Sequence, residues 1–247
     1  MPPIFLAIAA SAIAFLYSSV GFGGATGYLA AMSLFGIQPE IMASAALILN
    51  VLVAGIAFFS YSRAGHLNLR LLWPFLITST PAAFVGGYLK LTDQVYFVLL
   101  HAVLTFVAIR LLFFSKRLET QTLRLPPLWT ALLVGTGIGL LSGMVGIGGG
   151  IFLSPIIIFA GWGAPKQASA VAAAFIVLNS LSGLTGRLLG GNFVFGTLGL
   201  TLIPFGLIGA LAGSYFGASK LSNHHLRRVL GAIMTLVVTN FWWKLWG

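Results

Sequence analysis

Residues 128–162 read LWTALLVGTGIGLLSGMVGIGGGIFLSPIIIFAGW and contain no Asp, Glu, Lys, Arg or His. A stretch this apolar belongs in lipid. Its continuous hydrophobicity, rich in Gly, marks a helix rather than an alternating barrel strand. It is also too long. A run of more than 30 residues, as one straight helix, would reach about 48 Å against a hydrocarbon core of about 30 Å. The glycine cluster Gly146–Gly150 lies near its middle. Glycine is costly inside a helix and reaches backbone conformations closed to other residues, so the helix is expected to break there. Irregular backbone at membrane depth survives only against protein or a water-filled cavity, which puts the break inside the molecule.

The same construction occurs a second time. Ile4–Phe35 is the other overlong apolar run, with Val20-Gly21-Phe22-Gly23-Gly24 near its middle, answering to Val145-Gly146-Ile147-Gly148-Gly149. Further matches keep the same order: Gln38-Pro39-Glu40 with Ala164-Pro165-Lys166, Asn50 with Asn179, and Gly86-Gly87-Tyr88 with Gly213-Ser214-Tyr215. Their offset drifts only from 125 to 129. Such duplication is common in transporters. The expected organisation is an N-terminal transmembrane repeat at 1–114, a basic cytoplasmic linker at 115–127 that opens SKRLETQTLR, and a C-terminal repeat at 128–247. Each repeat holds about four hydrophobic segments.

Composition agrees with a membrane protein. Apolar residues make up 59% of the 247 and charged residues 6%, where a soluble domain carries roughly 25% charged residues. The net charge is +10, but the cations lie singly between apolar runs and form no stripe, which argues against nucleic-acid binding. They fit the positive-inside bias instead. If all eight apolar segments crossed once, the 13 Lys/Arg would divide 8 to 5 between the two sides. If the two glycine-broken segments enter and return on one side, the halves become inverted and the split is 10 to 3. Arg63, Arg70, Arg110, Lys116, Arg117, Arg124, Lys166, Lys220, Arg227 and Arg228 then share the cytoplasmic side, with Lys90, Arg187 and Lys244 outside. The fold expected is therefore an all-α integral membrane protein of two inverted repeats, with Gly-broken helices or re-entrant hairpins meeting near the midplane. Met1–Tyr17 has some features of a signal peptide but no basic n-region, and is expected to be retained. The absence of Cys excludes disulfides and thiolate metal sites.

Each glycine cluster is followed by a short apolar stretch, Ala25–Phe35 or Ile151–Ala160. As half-helices these would aim unpaired N–H groups and a positive dipole end at one cavity, making an anion site without a buried lysine. Gly21, Gly23, Gly24, Gly146, Gly148, Gly149 and Gly150 would shape it, and Ser18, Ser19, Thr26 and Ser142 would donate hydrogen bonds. Asn50 and Asn179, embedded and matched across the repeat, are candidates to line it. Arg187, two turns after Asn179, is a candidate to guide an anion in. The bland alternatives are close helix packing for the glycines, interhelical hydrogen bonds for the amides, and snorkelling for the arginine. Gly135, Gly139, Gly143, Gly206, Gly209 and Gly213 suit the packing role. His101 is the one histidine within a span; a neutral, hydrogen-bonded role is expected for it. Glu40, Asp93 and Glu119 all fall in loops, so an embedded carboxylate relay is not expected. No catalytic constellation, metal-ligand cluster or cofactor motif is present, and the chain is not read as an enzyme.

The two glycine motifs, the Pro165-Lys166-Gln167-Ala168-Ser169-Ala170 helix start and the late Gly209-Ala210-Leu211-Ala212-Gly213-Ser214-Tyr215 run resemble the TauE/SafE family over nearly the whole chain. The resemblance implies a multi-pass secondary transporter of the bacterial inner membrane, associated with export of sulfite or organosulfonates such as sulfoacetate. Gly21, Gly23, Gly24, Gly146, Gly148 and Gly149 match the family's glycine motifs. The first motif ends Gly-Gly-Ala rather than Gly-Gly-Gly, which leaves the two half-sites chemically unequal. The partners expected are a small-molecule anion and membrane lipids, with no nucleic acid, and a homodimer is the assembly to test. The competing readings are a structural or assembly subunit of a membrane complex and a transporter of a non-sulfur anion. The inverted arrangement has a direct test. A tag at either terminus should be reachable from outside intact cells, and protection until lysis would overturn it.

Overall fold

The computed structural model describes residues 2–18, 23–113 and 124–219, together with 235, 238, 239, 242 and 243. Ser19, Gly21, linker residues 115–123 and, from the charge assignment, Lys220, Arg227, Arg228 and Lys244 lie outside the described residues. The regular elements are α1 (Pro2–Ser18), α2 (Ala25–Leu34), α3 (Pro39–Arg63), α4 (Leu69–Tyr88), α5 (Asp93–Phe113), α6 (Leu128–Val145), α7 (Gly150–Phe159), α8 (Pro165–Leu189) and α9 (Thr197–Ser219). There is no strand among the described residues.

Four of these helices, α3, α4, α6 and α8, are long and apolar enough to cross a bilayer. The two longest, α3 and α8, have 25 residues each, about 37 Å of helix. Both begin with proline, Pro39 and Pro165, whose fixed φ and missing N–H suit a first helical turn. The outer surface carries large apolar side chains, Trp73, Trp129 and Leu133 among them, as a lipid-facing surface should.

Chain directions follow from the contacts. Phe75, Ser79 and Ala83 on α4 lie against Gly135, Gly139 and Gly143 on α6, so these helices run parallel. Phe84 and Tyr88 face Gly186 and Gly190, so α8 runs the same way. Across the molecule, Ser11 and Phe15 on α1 lie against Gly209 and Gly213 on α9, a second parallel pair. Each contact sets a glycine on one helix against backbone of the other. With no side chain in the way the axes approach closely, which is how helices associate where lipid gives no hydrophobic drive.

α6 ends at a glycine loop, from which the ten-residue helix α7 returns, and the ten-residue helix α2 starts directly after Gly23 and Gly24 and packs back on α1. Tyr17 near the end of α1 hydrogen-bonds Thr26 at the start of α2, and a Cβ on Gly149 would meet Ile138 of α6. The loops need glycine for their backbone: Gly24, Gly146, Gly148 and Gly149 have φ of 88°, 90°, 76° and 80°, which side chains disfavour. One face of the molecule collects the ends of α4 and α8 and the starts of α3, α5 and α9. The other collects the opposite ends, with Arg63, Arg70, Arg124 and Lys166.

Two alanine substitutions test the close packing. A Cβ on Gly143 would meet the Ala83 carbonyl and come within 2.7 Å of the Gly87 amide nitrogen, whereas one on Gly137 meets nothing within 4 Å. Gly143→Ala should lower thermal stability by about 1–3 kcal/mol through overpacking. Gly137→Ala should be neutral or stabilising by about 0.5–1 kcal/mol. Equal melting of the two variants would contradict the α4–α6 interface.

Candidate functional site

The fully buried Asn50 of α3 lies where both glycine loops converge. A Cβ built on Gly23 would fall 2.6 Å from its Oδ1, and one built on Gly148 would fall 2.7 Å from its Nδ2. The Gly148 position would also lie 2.9 Å from the hydroxyl of Ser180 on α8. Asn50 and Ser180 therefore come together from the two long central helices, with a glycine backbone from each half between or beside them. The reason is steric: any side chain at Gly23 or Gly148 would occupy the space the amide uses.

None of these polar groups is satisfied. Both amide atoms of Asn50, both of Asn179 and the hydroxyls of Ser180 and Ser142 are buried without a hydrogen-bond partner among the described residues. Each such group costs about 1–3 kcal/mol when left unmade. Native interiors hold few of them, and each asks for an explanation. Tyr28 adds one more. Its hydroxyl is buried and unpartnered, beside the left-handed Gly24 that caps α2. The short helices α2 and α7 both start at this level with glycine N-caps that supply no side-chain bond.

A family model described as sulfite exporter TauE/SafE matches residues 6–241. The chain belongs to the TauE/SafE family. It is 36% identical to a probable membrane transporter protein of Sinorhizobium fredii over 96% of this chain and 97% of that one. A probable membrane transporter protein of Methanocaldococcus jannaschii is 34% identical over 42% of this chain and 41% of its own length. No solved structure matches. This TauE/SafE protein is thus a multi-pass membrane transporter and not an enzyme.

In this family member the expected site residues separate into groups. Gly23, Gly24, Asn50 and Gly148 gather at the loops. Gly146, Gly149 and Gly150 face Ala43, Ile138 with Phe175, and Ile176 with Ala172, so they seat the second loop on apolar neighbours. Two expected donors are committed elsewhere: the Ser18 hydroxyl donates to the Ala210 carbonyl, and the Thr26 hydroxyl pairs with Tyr17. His101 has a ring nitrogen 2.8 Å from the Phe97 carbonyl of its own helix. Ser180 was not among the expected residues. It directly follows Asn179, but its repeat counterpart is Val51, so a search for matched pairs passes over it.

Arg187 departs from a snorkelling role. It is buried, and its Nη2 donates to the carbonyls of Gly143 and Met144, at 3.3 and 2.7 Å. The Tyr96 hydroxyl donates to Val145 at 3.0 Å, and the amides of Gly146 and Ile147 donate to Ser142. All four carbonyls that end α6 are thereby satisfied. Arg187, Tyr96 and Met144 also line an open pocket of about 220 Å³ with Glu40, Lys90 and Asn192, on the face where α3 begins. Asn50 does not line it.

The unsatisfied amide yields a test in which stability and function move in opposite directions. Asn50→Leu, of similar shape, should raise the unliganded protein's stability by about 1–3 kcal/mol by removing unmet polar groups while abolishing transport. Destabilisation by a similar amount would mean that Asn50 is a structural hydrogen-bonding residue.

Proposed function

We propose that the protein exports a small sulfur oxyanion, sulfite or an organosulfonate, through a site at Asn50, Ser180, Gly23, Gly24 and Gly148, with Asn179 and Ser142 as further donors. The observation that carries this reading is the fully buried, unpartnered Asn50 amide lodged against a glycine loop from each half. Its NH₂ offers two donors, the Ser180 hydroxyl a third, and the starts of α2 and α7 add backbone N–H groups and positive dipole ends. A site of neutral donors holds an anion without the permanent countercharge that would resist its release. The family's description as a sulfite exporter supports the choice of anion.

Alternating access between two inverted repeats, 1–114 and 128–247 joined by 115–127, is the mechanism proposed. Several contacts support the inversion. Gly86 of α4 packs on the Leu140 carbonyl of α6, and its counterpart Gly213 of α9 packs on the Phe15 carbonyl of α1, the counterpart of Leu140. A two-fold operation exchanges these pairs. Ser44 of α3 lies near Val194, just beyond the end of α8, and Leu47 near Gly183, so α3 and α8 run antiparallel. Charge supports the orientation. The Arg63 face carries Arg63, Arg70, Arg124 and Lys166 with no acid among the described residues; the Glu40 face carries Lys90 and Arg187 against Glu40 and Asp93. The Arg63 face is then cytoplasmic, and the pocket opens outward. A negative-inside potential drives anion exit by about 2.3 kcal/mol per charge per 100 mV.

Thermal stabilisation of the purified protein by sulfite, sulfate, thiosulfate, sulfoacetate and simple carboxylates tests the reading. A ligand at 100 times its Kd should add about 2.7 kcal/mol, selectively for sulfite or a sulfonate, and Asn50→Ala should diminish the effect. Stabilisation by carboxylates alone would overturn the substrate class. Undiminished stabilisation of Asn50→Ala would overturn the site.

A further inference from the structure

The outward pocket holds a charge arrangement that the midplane site does not use. Its floor includes Arg187, 4% exposed, whose recorded hydrogen bonds go to two backbone carbonyls and whose Nε has no partner. No carboxylate is among these partners, so the guanidinium is met only by the partial negative charge at the end of α6. The Lys90 side chain stands exposed at the rim. Glu40, half-buried in the same lining, offsets one of the two cations. Asn192 gives both of its amide bonds to the Gly87 and Tyr88 carbonyls at the end of α4, which fixes the wall rather than a ligand. About 220 Å³ is the room of roughly seven waters at their liquid volume, enough for a hydrated small oxyanion. Asn50 lies ten residues beyond Glu40 on α3, about 15 Å deeper along the helix.

We propose that this pocket is a second oxyanion subsite, in which the Arg187 guanidinium and the Lys90 ammonium hold a sulfonate- or sulfite-sized anion between the midplane cluster and the outside. Its role as a station for the transported substrate rests on the function proposed above; its affinity for the anion does not. The two sites differ in kind. The inner one offers neutral donors, and the outer one offers charge. An anion leaving the inner site meets a cationic surface before bulk water, and Lys90 at the rim lets it exchange with solvent.

The chain has no cysteine, so a reporter thiol placed in the pocket has no background. Leu91→Cys, in the pocket lining, would be reacted in the purified full-length protein with an anionic and a cationic methanethiosulfonate, each rate normalised to a free thiol. The anionic reagent should react several-fold faster. Lys90→Gln, an exposed change that spares the fold, should shrink that preference, and Arg187→Lys should retain most of it. Methanesulfonate should slow labelling both with native Asn50 and with Asn50→Ala. Faster labelling by the cationic reagent, or no slowing by methanesulfonate, overturns the subsite. Slowing that disappears in Asn50→Ala also overturns it, while leaving the midplane site intact. Slowing that persists while Asn50→Ala transports normally supports the outer subsite and removes the midplane one.

Discussion

Every polar group of the backbone must find a partner where water is excluded, and in this protein α6 ends at a buried glycine loop. A helix that ends inside a membrane exposes four carbonyls, each costing several kcal/mol if left bare. At the end of α6 the debt is met in full from outside the helix: Arg187 of α8 takes two carbonyls, Tyr96 of α5 takes one, and the next two amides of the loop share the last. The second glycine loop is therefore anchored by two other helices at once. That anchorage holds Gly148 against Asn50 and Ser180, and sets Arg187 in the lining of the pocket it shares with Glu40 and Lys90.

The two loops are supported unequally. The repeat counterpart of Arg187 is Phe58, an apolar side chain, and the counterpart of Ser180 is Val51. In the first half the Ser18 hydroxyl goes to the Ala210 carbonyl, and Tyr17 closes on Thr26. The second half thus carries the charged anchor and the extra hydroxyl, while Asn50, the amide that reaches both loops, comes from the first. The candidate site is asymmetric although the glycine motifs that flank it resemble each other in sequence.

How far the sequence could be read depended on whether a residue's role is local. The breaks were legible because only glycine tolerates φ near +80° to +90°, and Gly24, Gly146 and Gly149 hold such angles. Asn50 stood out because an amide in an apolar span has few tolerable environments, and Asn179 repeats it. The packing glycines of α6 and α9 were legible from their three- and four-residue spacing. Long-range partnerships were not. Ser18 and Thr26 sit beside a break as a ligand donor would in sequence terms, yet their partners are a carbonyl 192 residues away and a neighbouring tyrosine. For Arg187, the residues it caps come from a helix 43 residues earlier, and no local pattern marks that pairing.

The pairing of α1 with α9 also constrains how the protein is made. Ser18 meets Ala210 across 192 residues of chain, nearly the whole length of the protein. At a synthesis rate of roughly 5–20 residues per second, α1 enters the bilayer roughly 10–40 s before the helix it packs against has been translated. Until then the side of α1 that carries Ser11, Phe15 and Ser18 has only lipid or neighbouring first-half helices to meet. The first half is therefore completed only when α9, late in the chain, arrives, and a protein truncated before α9 lacks the surface that α1 packs on.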